Sequence, residues 1–445
     1  MTKVTVIMPS LNVAKYIDAC MKSVMEQTLQ DIEILAIDAG STDGTLAILE
    51  KYAKQDDRIK FIHSDKKSYG YQVNLGIAMA TGEYVGVVET DDLIMPEMLE
   101  SLYKEAVRTG ADYVKGAAQL FMELSPDLCW IGPITHVFGE NSMYGKVLSP
   151  QKMPDLFLKD YYLWTGIYRQ DFIKQIVLNE TPGAAYQDAG FMFQTYMKAE
   201  RAVYLLNPCY LYRQDNMSAS AYDRRAFDYF VGEYDYMEKF LHGTAEKWRE
   251  IYYQRMLNHC LRRFLVMGAS GEFWEDAVPA IEELQSRLRF ARQQGILNEQ
   301  NMDPDRWEKL LLFLEEPRVI YETYAAQYKA KVDNIHLMLK KLADRDAIIF
   351  GSGKCGSFMH ALIEHKIPGT VKSFCDNQKE LWGTAVQGIR VMSPGEAKHR
   401  YPNAVFLIAG KKYEMEMREQ LRELGVDEEQ IFTYTAGQNV QLFHV

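Results

Sequence analysis

The sequence predicts an α/β protein with a mostly parallel sheet at the N-terminus, a helical middle and a shorter α/β segment at the C-terminus. Three observations carry this. Over the first hundred residues, short β-branched runs that stop at acids or glycines alternate with apolar residues at helical spacing. That is the pattern of a parallel sheet covered on both faces. From Asp223 to about Lys340 such runs nearly vanish, and aromatic residues recur at helical intervals instead. From Ala347 the strand–helix alternation resumes behind a glycine-rich turn. A chain of 445 residues is long for one domain, and the three textures divide it at 1–222, 223–340 and 341–445.

Taken in order, Val4–Met8 is a β-branched run stopped by Pro9-Ser10, a buried first strand. Ala14 to Gln27 carries Ile17, Met21, Val24 and Met25 at helical spacing. Ile32–Ile37 is a second strand ending at Asp38-Ala39-Gly40-Ser41, and Thr42-Asp43-Gly44 caps a helix running to about Lys54. Ile59–His63 reads as a third strand, Tyr71–Met79 as a helix and Tyr84–Val88 as a fourth strand. The stretch VGVVETDDLIMP, residues 85–96, then breaks from Val88 into Glu89-Thr90-Asp91-Asp92 before Pro96. A buried strand delivers those carboxylates to its C-terminal edge, where open α/β sheets bind ligands. Clustered hard oxygens suit Mg²⁺ or Mn²⁺, which in turn hold a diphosphate. The same residues also suit a solvated acidic turn opening the next helix.

Composition narrows the function classes. Apolar content of 47% and charged content of 25% are ordinary for a globular protein. A net charge of −11 argues against a nucleic-acid surface, which needs clustered Lys and Arg. It does not exclude nucleotides, because a metal supplies positive charge locally. Cys20, Cys129, Cys209, Cys260, Cys355 and Cys375 are scattered without a C-x-x-C pair. This fits reduced thiols in a cytosol and neither disulfides nor zinc. The chain enters strand-like VTVIMP at once, so no signal peptide is expected, and no apolar run approaches a membrane span.

The order VTVIMPSLN, EILAIDAGSTDGT, NLGIAMATGEYVGVVETDD, and then PGAAYQDAGFMFQTYMKAERAVYLLNPCYLYRQDN at 182–216, resembles the inverting family 2 glycosyltransferases of the GT-A fold. The resemblance covers residues 1 to about 222. It implies that Pro9, Ser10 and Asn12 lie along a nucleotide, and that Asp38 contacts its base, first of all uracil. The usual second acid is replaced by Ala39 and the usual aromatic by Leu11. Glu89, Asp91 and Asp92 match the Asp-x-Asp signature, with Asp91 and Asp92 as metal ligands and Glu89 in place of the first Asp. Asp188 matches the general base, and Arg213, followed by Asp215, is placed to neutralise the leaving phosphate. A carboxylate just before Ala189–Ala199 also suits a helix cap. Tyr69, Tyr71, Gln72 and Asn74 fall on the donor-sugar side, whereas Trp164 and Tyr168 read as core.

In the middle, Phe227, Phe230, Tyr234, Met237 and Leu241 form one helical stripe, and Trp248, Tyr252, Met256, His259 and Arg263 another. Such stripes pack a bundle and carry no chemistry. Arg262, Arg263, Arg287, Arg289 and Arg292 suit a solvated helix face or an approach to an anionic membrane surface. In the last segment Ala347–Phe350 is a strand, followed by Gly351-Ser352-Gly353-Lys354-Cys355-Gly356 and a helix at His360–His365. The strand Val371–Cys375 ends in Asp376, and Ala404–Ile408 and Ile431–Tyr434 follow as strands with a helix between them. This resembles the partial Rossmann-like nucleotide-binding modules found beside sugar-modifying transferases. It implies a phosphate over Gly351, Gly353 and Gly356 and a ribose on Asp376. The same glycines also serve tight helix–strand packing.

The reading is therefore a metal-dependent inverting glycosyltransferase. It takes a nucleotide-sugar, UDP-linked by expectation, with Mn²⁺ or Mg²⁺, and transfers to a hydroxyl of a glycan or lipid-linked acceptor in surface polysaccharide synthesis. It is placed in the cytoplasm or at the inner membrane face. The alternative is a GT-A scaffold of weak turnover that binds or senses nucleotides or sugars, a reading fed by Ala39 and Glu89.

Overall fold

In the computed structural model, residues 1–125, 128–139, 141–160, 162–219, 222–271 and 274–444 are described. They form two compact units, one of residues 1–120 and 134–320 and the other of residues 121–133 and 321–445.

The first unit opens with β1 (Val4–Ser10), α1 (Ile17–Met25), β2 (Ile32–Asp38), α2 (Thr45–Ala53), β3 (Ile59–His63), α3 (Tyr69–Met79) and β4 (Tyr84–Val87). There follow β5 (Leu93–Ile94), α4 (Met98–Thr109), β6 (Tyr113–Ser125), β7 (Leu128–Ile134), α5 (Leu156–Lys159), β8 (Gly166–Arg169), α6 (Gln170–Ile173), α7 (Gln187–Lys198) and β9 (Ala202–Arg213). The nine-stranded sheet runs β3-β2-β1-β4-β8-β6-β9-β5, with β7 paired to β6. Its first four strands are parallel, and β8 then joins β4 antiparallel. Every residue of β1, β2 and β4 is buried, which is why those strands read as unbroken apolar runs. Parallel pairing sends the loops after β1, β2 and β4 to one edge. In register, Ser10 lies beside Asp38 and Ile7 beside Val87. The antiparallel half was the less legible part, because β6 and β8 carry little period-2 alternation.

The helical region is α8 (Ala226–Glu238), α9 (Glu246–Ser270), α10 (Trp274–Gln293), α11 (Pro304–Glu315) and α12 (Pro317–Leu342). Both aromatic stripes are buried, including His259 and Arg263. The arginines of this region largely serve it: Arg263 donates to the Asp223 carbonyl, Arg287 to Asp235 and Glu283, and Arg289 to the Leu314 carbonyl. No helix among the described residues is long and apolar enough to cross a membrane.

The second unit holds β10 (Ala347–Phe350), α13 (Lys354–Lys366), β11 (Val371–Cys375), β12 (Ala385–Val386), β13 (Ile389–Met392), α14 (Pro394–Arg400), β14 (Val405–Ala409), α15 (Glu414–Glu423) and β15 (Ile431–Tyr434). Its sheet order is β12-β13-β11-β10-β14-β15, all parallel except β12. The first strand, β10, is central and the chain order reverses beside it. The end of the β6–β7 hairpin belongs to this unit through Trp130, whose ring packs against Phe358 and Phe443 at 5.4 and 6.2 Å.

Candidate functional site

The loops after β1 and β2 are fastened to each other. Asp38, wholly buried, accepts from the Gly40 and Ser41 amides at 2.8 Å each through one oxygen. Its other oxygen takes the Ser10 and Ser41 hydroxyls at 2.8 and 2.6 Å. Asn12, at a φ of +55°, accepts from the Thr42 amide and donates its own amide to Ser41 Oγ. Asp43 receives the Ala14 amide. Gln72 Nε2 stitches the two strand ends by donating to the Ser10 and Ile37 carbonyls. The expected base contact of Asp38 thus meets a carboxylate already taking four loop donors. What the two loops offer outward is the backbone around Pro9, Ser10 and Asn12, with Leu11 exposed.

At the end of β4 the three acids have different surroundings. Asp92 is fully buried: Tyr210 donates its hydroxyl to one oxygen at 2.8 Å, and the Arg213 amide donates to the other at 2.7 Å. Burial, then the charge of Asp91, raises its pKa well above the usual carboxylate range. The expected ligand role of Asp92 therefore meets two oxygens already committed to β9. Asp91 is half-buried; Asn216 donates to its Oδ2 at 2.7 Å, and its Oδ1 accepts no hydrogen bond from the described residues. Glu89 takes the Tyr69 hydroxyl at 2.5 Å. Burial pushes its carboxyl up to about 8; the Tyr69 hydroxyl opposes this, and Asp91 and Asp188 add to it. Arg213 is buried, donates through Nε to the Asp91 carbonyl at 2.6 Å, pairs with Asp215 at 3.2 Å, and lies 4.7 Å over the Tyr16 ring.

Asp188 reaches the same region from another element. It sits in the first turn of α7, where its Oδ1 accepts from the Ala189 amide at 3.0 Å. Burial raises its carboxyl to about 6, against the pull of Arg255 and then of Lys115. Arg255, from α9, is buried with its guanidinium 5.5 Å over the Phe157 ring, and donates to the Leu158 carbonyl. Lys115 is itself buried in a 2.6 Å pair with Asp160. The phenol of Tyr212 is raised by burial and then by Asp92, Asp91, Asp188 and Glu89, so all four carboxylates lie within electrostatic reach of one ring. Trp164 and Tyr168 are buried, as core residues are.

Sequence reasoning missed several residues here. Tyr210 and Asn216 have no local signature; they matter because β9 returns beside β5. Glu233 had a signal: it is a carboxyl on the apolar face defined by Phe230, Tyr234 and Met237, and it is buried. Among the described residues no group of three or more His, Cys, Asp and Glu side chains is arranged to hold a metal. A divalent ion at this edge would thus rest on Asp91 and draw its other ligands from diphosphate and water, which suits ions that keep several exchangeable positions.

In the second unit, Asp376 ends β11 and accepts from the Ser352 amide and hydroxyl at 2.9 and 2.7 Å and from the Gln378 amide at 3.0 Å. Burial raises this carboxyl, but the hydrogen bonds win and hold it below the usual carboxylate range. At Gly356 a Cβ would lie 2.0 Å from the Gly351 carbonyl oxygen, so α13 packs onto the loop there. At Gly353 a Cβ would meet nothing within 4 Å.

With this geometry in place, the likeness to known proteins is informative. Residues 5–123 match the family model described as glycosyl transferase family 2, and residues 343–432 the one described as C2185-like, N-terminal. Glycosyltransferase GlyG of Streptococcus pneumoniae is 28% identical over 215 residues, covering 47% of this chain and 70% of that protein. Glycosyltransferase EpsJ of Bacillus subtilis is 29% identical over 220 residues, covering 48% of this chain and 61% of that protein. The crystal structure of Staphylococcus aureus TarS superposes with a TM-score of 0.50 at 19% identity, over 73% of this chain and 55% of that one. Residues 5–123 thus resemble glycosyl transferase family 2, and the chain is a glycosyltransferase of GT-A fold.

Proposed function

We propose that this enzyme moves a sugar from a nucleoside diphosphate sugar, UDP-linked in the first instance, to a hydroxyl of a glycan or lipid-linked saccharide, with inversion. The observation that carries the reading is that Asp91 and Asp188 both lie near enough to Glu89, at the end of β4, to raise its carboxyl. The Asp188 carboxyl is raised by burial to a pKa of about 6, and Asp91 keeps an oxygen that takes no donor from the described residues. Asp188 removes the acceptor's hydroxyl proton as that oxygen attacks the anomeric carbon. The bond from that carbon to the diphosphate breaks, and the nucleoside diphosphate leaves with the electron pair. Asp91 would hold Mn²⁺ or Mg²⁺, which supplies charge stabilisation for the diphosphate. Asp92 anchors Arg213 rather than binding metal, and Arg213 fixes the Asp91 carbonyl from behind. The Pro9–Asn12 loop carries the nucleotide.

In the same reading residues 1–222 form the transferase part, 223–340 a helical part and 341–445 a C-terminal α/β part, and the enzyme works on the cytoplasmic side. A panel of UDP- and GDP-sugars with Mn²⁺, read by release of nucleoside diphosphate, tests it. Release that needs metal and is lost in Asp188→Asn supports transfer. Tight nucleotide binding without turnover for any donor or saccharide would convert the reading to a binding scaffold.

A further inference from the structure

Helix α7 carries Asp188, which takes the Ala189 amide but leaves the Gly190 amide to another element. Its N-cap residue, Tyr186, sits in the left-handed region at a φ of +66° and brings no capping side chain. Two groups from α8 close that end instead. The Tyr186 ring packs on Phe230 at 4.5 Å, and Glu233, which is 2% exposed, accepts the Gly190 amide at 3.0 Å. An unsatisfied first-turn amide in a buried place is costly, so this contact fixes the turn. Gly190 leaves room for it: a Cβ there would lie 2.1 Å from Glu233 Oε1.

The second oxygen of Glu233 reaches the donor side. It accepts from Asn179 Nδ2 at 3.0 Å. The neighbouring backbone at Leu178 is tied to α3 at both ends of the Asn74 amide, through 3.0 and 2.9 Å bonds. That helix begins at Tyr69, whose hydroxyl binds Glu89. One carboxyl therefore joins the turn bearing Asp188 to the segment that backs Glu89.

We propose that Glu233 is a positioning residue of the glycosyl transfer, capping the Asp188 turn from α8 and setting the place of that carboxylate relative to the donor. The inference rests on the reading of Asp188 as base. It makes the helical region part of the catalytic apparatus, a role that its amphipathic pattern hides. Burial raises the Glu233 carboxyl to about 8, against the Asn179 and Gly190 donors; a glutamine keeps one oxygen for the Gly190 amide and gives up only the acceptor that faces Asn179.

The test uses the full chain with Mn²⁺ and UDP-glucose, UDP-galactose and their N-acetylated counterparts. UDP release to water is followed with the fastest donor, and UDP affinity is measured separately. Glu233→Ala should lower kcat by about 10–100-fold, the scale of a misplacement near 1 Å, while leaving KM and UDP affinity near wild type. Amide exchange over residues 186–192 should speed up. Glu233→Gln should restore most of kcat and the slow exchange. In an Asp188→Asn background, Glu233→Ala should add almost nothing. Unchanged kcat in Glu233→Ala, or equal loss of kcat and UDP affinity, overturns the positioning role. So does a Gln variant as impaired as the Ala variant. Near-normal UDP release in Asp188→Asn would instead refute the base, whatever Glu233 does.

Discussion

At the end of the second strand of the N-terminal sheet, Asp38 accepts a hydroxyl from Ser10, which lies in the loop after the first strand. At the end of the second strand of the C-terminal sheet, Asp376 accepts a hydroxyl from Ser352, again in the loop after the first strand. Two unrelated stretches thus use an acid and a serine to lock adjoining loops at a parallel sheet edge. What separates them is what else arrives. The N-terminal edge also receives Glu89 and Asp91 after β4 and Asp188 from α7. Two of these, Glu89 and Asp188, have a desolvated carboxyl, and the third, Asp91, keeps an oxygen without a donor among the described residues. The second unit has no counterpart of these among its described residues. An acid behind a buried strand is therefore not itself a functional sign; an acid whose lone pairs the loop leaves unspent is.

The comparison is broken most severely at Asp91. Asp91→Asn removes the charge that would hold the metal and should lower Mn²⁺-dependent UDP release by about 10³-fold, several kcal/mol of leaving-group stabilisation. The fold should persist, because asparagine has the same shape and one Asp91 oxygen accepts no hydrogen bond from the described residues. Equal UDP affinity with and without Mn²⁺ in the wild type, unaltered by the substitution, would move the metal assignment elsewhere.

Next in size is Asp188. Asp188→Asn should reduce turnover by about 10²–10⁴-fold with UDP affinity retained. A general base works ionised, and this carboxyl titrates near 6. The wild-type rate should therefore fall about tenfold per pH unit below that point and level off above it, and Asp188→Asn should lose this limb. A flat profile between pH 5 and about 7 would place the base on another group.

The C-terminal edge yields smaller, structural effects. Asp376→Ala strands the Ser352 and Gln378 amides in a half-buried loop, and should cost about 1–3 kcal/mol of the stability of that unit. Gly356→Ala drives a methyl into the Gly351 carbonyl and should cost a similar amount. Neither should change metal-dependent UDP release. Both are read by chemical denaturation beside the release assay.

How much of this was legible is clear from particular residues. Strands β1, β2 and β4 were readable because burial on both faces demands unbroken apolar runs, and Ile59–His63 and Ile431–Tyr434 have the same bounds in sequence and structure. Asp91 and Asp188 were singled out because family order marks them. The spending of Asp38 and Asp92 was not, since the donors Ser41, Tyr210 and the Arg213 amide reach them only after folding. Helix ends also slipped: the helix expected at His360–His365 begins at Lys354, because glycines and lysine at a helix start carry no apolar period. Glu233 was masked by its neighbours, whose aromatic rings made the whole stripe look inert.

The smallest effect is expected at Gly353, and its smallness is what makes it useful. Its backbone is extended, with a φ of −77°, and an added Cβ meets nothing within 4 Å. Gly353→Val should therefore change the melting of the second unit by no more than about 0.5 kcal/mol. Gly356→Ala, three residues on, serves as the internal control for what crowding does. Yet Gly353 is the N-cap of α13, where helix amides would meet a phosphate. If the loop binds a nucleotide, NAD or UDP at millimolar concentration raises the melting temperature of the wild type and not of Gly353→Val. If the glycines serve packing, neither nucleotide shifts either protein. A valine that destabilised the unit without any ligand would show that the space beside Gly353 is filled in solution, and would assign the glycines of this loop to packing.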